Sequence, residues 1–423
     1  MAGFNTAITG LKSASTDLDV TGNNIANSST VGFKSSRTEF ADIYASAVVG
    51  AGSSNIAGSG VTVSDIAQDF GAGTIEFTNN NLDLAINGSG FFQLDNGQGS
   101  VTYTRAGAFE LDKEGNIVSK DGKNLQGYGV DDQGNLLPVG NLAVNQKESP
   151  PKPTENIDLS FNIDAATVVP TLAYDPDEPS SYSYSTTVPV FDSLGNQQTI
   201  KFNLVEQSEG SGLYDMYAYL NGDPDQPLDI GGSPIDPADP ESGAIVVAFD
   251  TTNGLLSTIG GTATSKLTIA GADSANAATT IDLDLAGTTQ FASTSIVKTQ
   301  QQDGYTKGDL IGVSFGSNGE MIASFSNGQN QQLGVVAIAT FENQAGLGPS
   351  GGTEWTATLD SGSAIINPPG SGLSGSLRSA ALEQSNVDLS AELVSLIEAQ
   401  RNFQANSKTL ETLNTVTQTI LQI

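Results

Sequence analysis

The last stretch of the chain, Asp388 to Leu421, contains no Gly and no Pro. It opens with SNVDL, in which Ser385 or Asp388 can accept bonds from the unpaired amides of a first helical turn. Glu392 then falls near the positive end of the helix dipole. Leu389, Leu393, Leu396, Ala399, Phe403, Leu410, Leu413 and Ile420 follow at three- and four-residue steps, with Glu, Gln, Asn, Ser and Thr around the rest. At 1.5 Å per residue such a helix is roughly 50 Å long. A stripe that long and narrow needs another helix to cover it. The other end of the chain offers one: Phe4, Ala7, Leu11, Ala14, Leu18, Thr21 and Ile25 form a heptad seam, with Ile8 beside it. Two readings of this pairing stand side by side. It is an ordinary helical hairpin inside one globule, or the two ends form a coiled coil that assembles with other copies. Gly3 and Gly10 weaken the N-terminal helix by roughly 1 kcal/mol each relative to Ala, so it should form when docked rather than alone.

Composition narrows the chemistry. The chain has 423 residues, 48 of them Gly, and a formal net charge of −31. The length suits two to four domains, and few charges with much Gly, Ser, Thr and Asn suit many short strands and turns. Nucleic acid and anionic membrane surfaces would repel such a chain, so neither is expected as a partner. There is no Cys and no His, which removes disulfides, thiolate nucleophiles, Cys/His metal sites and Ser-His-Asp or Cys-His arrangements. Acid/base catalysis would fall to carboxylates alone, and none stand out as a pair. The expectation is no enzyme, no cofactor and no metal site. No apolar run reaches the length of a membrane span, and the N-terminus shows no secretory signal.

Between the ends the periodicity is that of strands. Asn27 to Gly32 ends the first helix. Ala45 to Gly60 is small, Gly-rich and expected to be extended or mobile. From Val61 onward apolar residues alternate, as at Ile75 and Phe77, at Leu82, Leu84 and Ile86, at Val101 and Tyr103, and at Phe109 and Leu111. Three turns share the pattern Asp-x-x-Gly-Asn, starting at Asp112, Asp131 and Asp192. Asp suits the first position of a type I turn and Gly supplies positive φ. A calcium loop would need oxygen ligands at alternate positions and a distal Glu, which these turns lack. SPPKPT, Ser149 to Thr154, marks a domain boundary. Further strands are expected at Tyr184 to Phe191, Thr199 to Val205, Tyr214 to Leu220, Ala244 to Phe249, Lys266 to Ala270, Ile281 to Leu285, Leu310 to Phe315, Met321 to Phe325 and Leu333 to Phe341. Asp223 to Pro240 reads as an exposed loop, and the lone Trp355 as a core residue.

Several long segments resemble those of bacterial flagellar rod and hook proteins. They are LDVTGNNIANSSTVGFKSSRTEFADIY near the N-terminus, AINGSGFFQL at Ala85 to Leu94, YTRAGAFELDKEGNIVSKDGKNLQGY at Tyr103 to Tyr128, and SNVDLSAELVSLIEAQRNFQANSKTLETLN at the C-terminus. VFDSLGNQQTIKF, DGYTKGDL and ATFENQAGL in the middle resemble segments of the hook members of that family. The resemblance implies a subunit of the hook, the curved tube that joins rod to filament, bends as a universal joint and transmits motor torque. It implies itself as partner in a helical homopolymer, with a distal rod protein at the base, a hook-filament junction protein, a hook cap and the export apparatus as the others. It also implies an extracellular place on the flagellum, reached without a cleavable signal. A distal-rod-like axial protein and a secreted β-rich adhesin are the alternatives, and the adhesin would not need paired heptad termini.

The expected fold is mixed and mainly β. Long terminal helices form a coiled-coil domain (1–32 and 376–423), joined through a connecting segment (33–70) to two nested β domains. The inner one is discontinuous (71–148 and 293–375), and the outer, barrel-like one is inserted in it (149–292). The residues expected at the assembly interface are Phe4, Ile8, Leu11, Leu18, Ile25, Leu389, Leu393, Leu396, Phe403, Leu410, Leu413 and Ile420. Removing the first 70 residues and everything after about Ser371 is expected to leave a folded β-rich protein.

Overall fold

A computed structural model describes residues 2–43, 58, 60–131, 133–144, 148–233, 236, 242–273, 276 and 279–421. The chain divides into two compact units, Met1–Asn145 with Ile311–Ser324 and Asn330–Ile423, and Gln146–Leu310 with Phe325–Gln329.

The first unit contains both long helices, α1 (Ala2–Ala26) and α2 (Leu389–Leu421). At the start of α2 the Asp388 carboxylate accepts from the amides of Ser390 at 2.9 Å and Ala391 at 3.2 Å, so Asp388 is the cap. Past α1 the chain turns at Gly32, whose φ is +70°. A side chain there would meet the Ala106 backbone nitrogen at 2.4 Å, so only Gly fits. The expected connecting segment contains a two-stranded ladder, Ser36–Asp42 against Val61–Gln68, bulged at Glu39 and Phe40. The Gly-rich stretch after Tyr44 lies outside the described residues, apart from Gly58 and Gly60.

The β part of this unit interleaves early and late strands. Asn330–Val336 pairs with Asn124–Val130, which pairs with Phe91–Asp95. The order continues through Val101–Thr104 to Glu354–Thr356 and Gly348–Gly351. Ser376–Ser379 pairs with Leu84–Asn87, and Ala381–Glu383 with Ile75–Phe77. Residues 376–383, expected with the helices, therefore belong to the sheets, because their alternation is completed only by strands some 300 residues earlier. Trp355 packs edge-on against Phe70 and Phe91, and its indole N–H donates to Gln68 Oε1 at 2.6 Å.

The second unit holds two sheets over one core. One is an antiparallel meander of Tyr184–Phe191, Gln197–Glu206, Leu213–Leu220, Ile245–Phe249 and Leu256–Ile259. The other centres on Asn156–Asp164, a strand absent from the expected set. That strand pairs in parallel with Thr280–Asp284 and Thr289–Phe291, and antiparallel with Ile296–Gln302. Ile157, Leu159, Phe161 and Ile163 point from it into a core shared with Val188, Val190, Ile200, Phe202 and Leu204. A bridge between Leu255 and Thr289 joins the sheets on one side. Strand Ile296–Gln302, expected in the inner β domain, lies in this unit because its only long ladder is to Asn156–Asp164. Within the supposed loop at Asp223 to Pro240, Leu228 and Ile230 are fully buried, and Asp229–Ile230 adds a short strand.

All three Asp-x-x-Gly-Asn turns are built alike. In each, one carboxylate oxygen accepts from the Asn backbone amide and the other from its side chain, at 2.7 and 2.8 Å for Asp112, 2.7 and 3.1 Å for Asp131, and 2.8 and 3.0 Å for Asp192. Gly115, Gly134 and Gly195 take positive φ. These carboxylates already serve the turn as internal acceptors.

Candidate assembly surface and its anchor

The two helices pack antiparallel in constant register. Asn24 Nδ2 donates to Glu392 Oε1 at 3.1 Å. Two heptads away, a side chain on Gly10 would come within 2.7 Å of Asn406 Oδ1. Gly10, read from sequence as a weakness, is what allows this close approach. In this register Ala2 lies opposite the region of Asn414, so α2 runs on past the start of α1.

The buried side of α1 is not its large apolar side. Ala7, Ser13, Ala14, Thr21 and Asn24 are buried, whereas Ile8, Leu11, Leu18 and Ile25 are half-buried and Phe4 is 48% exposed. At 100° per residue the two sets are centred roughly 100° apart. The expected heptad seam thus splits: its small residues are buried on the side where Gly10 approaches Asn406, and its large ones do not lie at the centre of the contact. The reason is steric, since small side chains let two backbones approach and then occupy the contact themselves. On α2, Ala399 is buried, and Leu396, Phe403, Leu410 and Leu413 are half-buried along the same face as Glu392 and Asn406. Leu389 and Leu393, expected on that stripe, lie on an adjacent face and are each 46% exposed. They continue into Val394 and Ile397, which sequence reading did not single out and which are 57% and 50% exposed. The side chain of Ile420 lies outside the described residues.

The root of the helical pair is held by a fully buried ionic group. Lys34 Nζ sits 2.6 Å from Glu383 Oε1 and donates to the Gly71 carbonyl at 2.6 Å. Arg105 Nη1 lies 3.0 Å from Glu383 Oε2, and Nη2 donates to the Gly88 carbonyl at 2.9 Å. The Gly73 amide adds a third donor to Glu383 at 3.0 Å. The Arg105 guanidinium carbon is 5.3 Å from the centre of the Phe91 ring. Burial pushes the Lys34 ammonium below its ordinary value, with Glu383 pulling the other way. Two amides complete the anchor. Asn24 bonds both the N–H and the C=O of Ser36, at 3.0 and 2.7 Å, and Asn386 accepts from the Ser35 amide at 2.8 Å while donating to the Asp69 carbonyl at 2.8 Å. None of Asn24, Lys34, Arg105, Glu383 and Asn386 was singled out from sequence. Their partners lie 12 or more residues away in the chain, although Asn24, Lys34, Arg105 and Asn386 lie inside the segments that carry the family resemblance.

Among the described residues, no group of three or more Asp or Glu is placed to hold a metal ion, and no helix is long and apolar enough to cross a membrane.

Four known families match residues 4–34, 85–305 and 378–423. Residues 4–34 match the flagella basal body rod protein family, and 85–169 the flagellar hook protein FlgE/F/G D1 domain. Residues 162–305 match the flagellar basal body protein FlaE D2 domain, and 378–423 the C-terminal family of flagellar basal body rod FlgEFG proteins. The flagellar hook protein FlgE of Salmonella typhimurium is 35% identical over 99% of both chains. The chain belongs to the flagellar hook protein family. FlgE of Escherichia coli is 33% identical, again over 99% of both chains, and that of Borreliella burgdorferi 28% identical over 100% of this chain and 99% of its own. A crystal structure of Helicobacter pylori flagellar hook protein FlgE2 shares the fold at 14% identity, with a TM-score of 0.50, covering 73% of this chain and all of that one. The buried ionic group of this hook family member joins three of the four matched segments: Lys34 ends the first, Arg105 lies in the second and Glu383 opens the last.

Proposed function

We propose that the chain polymerises through its terminal helices into the flagellar hook, with copies of itself as its main partners. Full-length similarity to hook proteins carries this reading. It is supported by helices that leave their large apolar side chains only partly covered within one chain, a surface that suits a neighbour. The interface comprises Phe4, Ile8, Leu11, Leu18 and Ile25 on α1, and Leu389, Leu393, Leu396, Phe403, Leu410, Leu413 and Ile420 on α2. The tube bends as a universal joint while passing torque from rod to filament. A distal rod protein meets it at the base, with a hook cap and a hook-filament junction protein at the far end. The chain leaves the cell through the flagellar export apparatus with its N-terminus uncleaved. A rod-like role is less well supported, because the hook relatives match over 99% of their own length, inserted second unit included.

The test is negative-stain microscopy of flagellar basal bodies from a strain lacking the gene. Rods without hooks are the expected result. Hooks of normal length would overturn the reading.

A further inference from the structure

We propose that Lys34, Arg105 and Glu383 act as a clasp that makes closure of the first unit depend on the charge of Glu383, and hence on delivery of the C-terminal segment. Two cations and one carboxylate share a site in which the Lys34 and Glu383 side chains are 0% exposed and that of Arg105 is 2% exposed. Without Glu383 the site would hold two buried like charges with no buried counterion, only the exposed Asp69 carboxylate acting on Lys34, and a buried charge left unpaired is strongly destabilising. Arg105 and Lys34 come from the first quarter of the chain, whereas Glu383 follows the whole inserted unit. Glu383 therefore emerges late, whether from a ribosome or an export channel.

Backbone topology points the same way. The Gly32 amide donates to the Glu383 carbonyl at 2.8 Å, and Ala381–Glu383 supplies the ladder for Ile75–Phe77. The second unit has no such dependence, because its core is drawn from one continuous stretch of sequence, Ile157 to Leu285. An incomplete subunit would thus fold its second unit and hold the first open, with α1 unable to find either α2 or its anchor. The benefit to assembly rests on the hook reading given above; the folding behaviour does not.

Hydrogen exchange on the purified full-length protein tests the clasp, using peptides covering 84–95 in the first unit and 200–220 in the second. In Glu383→Gln, exchange at 84–95 should accelerate by about a hundredfold or more, the scale for breaking a buried ion pair, while 200–220 is unchanged. The triple variant Lys34→Met, Arg105→Met, Glu383→Leu removes all three charges at similar volume, and should return 84–95 most of the way to the wild-type rate. The proposal is overturned if Glu383→Gln exchanges within about threefold of wild type, or if the triple variant is as loose as Glu383→Gln. The second result would assign the effect to packing rather than to unpaired charge. In cells, Glu383→Gln should be secreted without forming hooks. If exchange behaves as described but the gene-deletion strain still makes hooks, the hook reading fails and the clasp stands.

Discussion

The second unit and the helical pair follow opposite rules of burial. In the second unit, alternate residues of each strand are large and fully buried: Val188 and Val190, Ile200, Phe202 and Leu204, Tyr214 and Met216. In the helical pair the buried residues are Ala7, Ser13, Ala14, Thr21, Asn24 and Ala399, while Phe4, Leu389, Leu393, Val394 and Ile397 are exposed. Burial of a large apolar side chain is worth roughly 1.5 to 3 kcal/mol, so one region collects this term inside a single chain and the other leaves much of it uncollected. A structure that bends under load needs parts that keep their shape alone and parts that take shape only through neighbours. The difference is one between self-sufficient and shared cores.

The sharpest way to break that comparison is to alter an exposed helix residue. Leu393→Asp should leave the thermal unfolding of the isolated subunit within about 0.5 kcal/mol of wild type, as expected of an exposed site, yet abolish hooks. Phe403→Ala should also block assembly, since a large side chain fully buried in the polymer would cost roughly 3 to 5 kcal/mol per interface. Expression in cells lacking the native gene, with secreted protein compared against hooks in the microscope, reads both variants. Hooks of normal length from Leu393→Asp would mean that this face of α2 meets solvent in the tube.

Fragments give the next largest contrast. Residues 146–310 alone should show a cooperative β-type unfolding transition by circular dichroism, because they contain the complete second core. The fragment 71–371 is a different matter. The sequence suggests that it should fold throughout, but the structure changes this expectation for its inner part. The cut at 371 removes Ser376–Ser379 and Ala381–Glu383, the partners of Leu84–Asn87 and Ile75–Phe77. It also leaves Arg105 without Glu383. We expect this fragment to unfold in two steps, with Trp355 emission already red-shifted in buffer, since the N-terminal cut also removes its neighbour Phe70 and its acceptor Gln68. A single transition with buried Trp355 would show that the inner sheets close without their late strands.

What the sequence disclosed follows the same division. Strands whose partners are near in the chain were legible from alternation, with Tyr184–Phe191 and Lys266–Ala270 found at their true limits. Asn156–Asp164 alternates just as well at Ile157, Leu159, Phe161 and Ile163, but its partners begin more than 110 residues later and the Pro-rich run beside it drew attention to a boundary instead. At the candidate surface, periodicity located the apolar positions but could not say which face is buried. A heptad pattern reports that residues share a side, not that a neighbouring row of Ala, Ser and Gly lets the helices approach more closely there. The clasp left no local trace, because each of its charges is a single residue in a turn or strand.

Hydrogen exchange on the isolated subunit measures the difference without mutation. Amides of Leu393 to Leu413 should exchange on the order of a hundredfold faster than those of Ile200 to Leu204, since a marginal helical pair opens locally while the strands open only with the whole unit. Equal protection in both regions would show that the pair is stable before it assembles.

The smallest effect separates the two regions by pH. Burial raises the Glu392 carboxyl above its ordinary value of 4.5, with the charge of Asp17 adding to the shift and the Asn24 amide opposing it. A raised carboxyl costs stability in full above its folded pKa, and the cost disappears as pH falls through that value. Acidification from pH 7 towards 4.5 should therefore tighten the helical pair and raise the protection of its amides, relative to intrinsic exchange at each pH, a few-fold. Asp303 behaves in the opposite sense. Burial alone would raise its carboxyl, but Lys152 at 2.7 Å and the amides of Asn156 and Glu155 hold it well below its ordinary 3.8. Its contribution is present above pH 3.8 and is lost below, so the second unit should loosen only in stronger acid. Glu392→Gln keeps an acceptor for Asn24 and removes the charge; it should make the protection of the helix amides independent of pH over this range, and leave the second unit's response untouched. If wild-type helices instead loosen between pH 7 and 4.5, the ionised Glu392 carboxylate stabilises the pair, and the bond it accepts from Asn24 outweighs the cost of burying it.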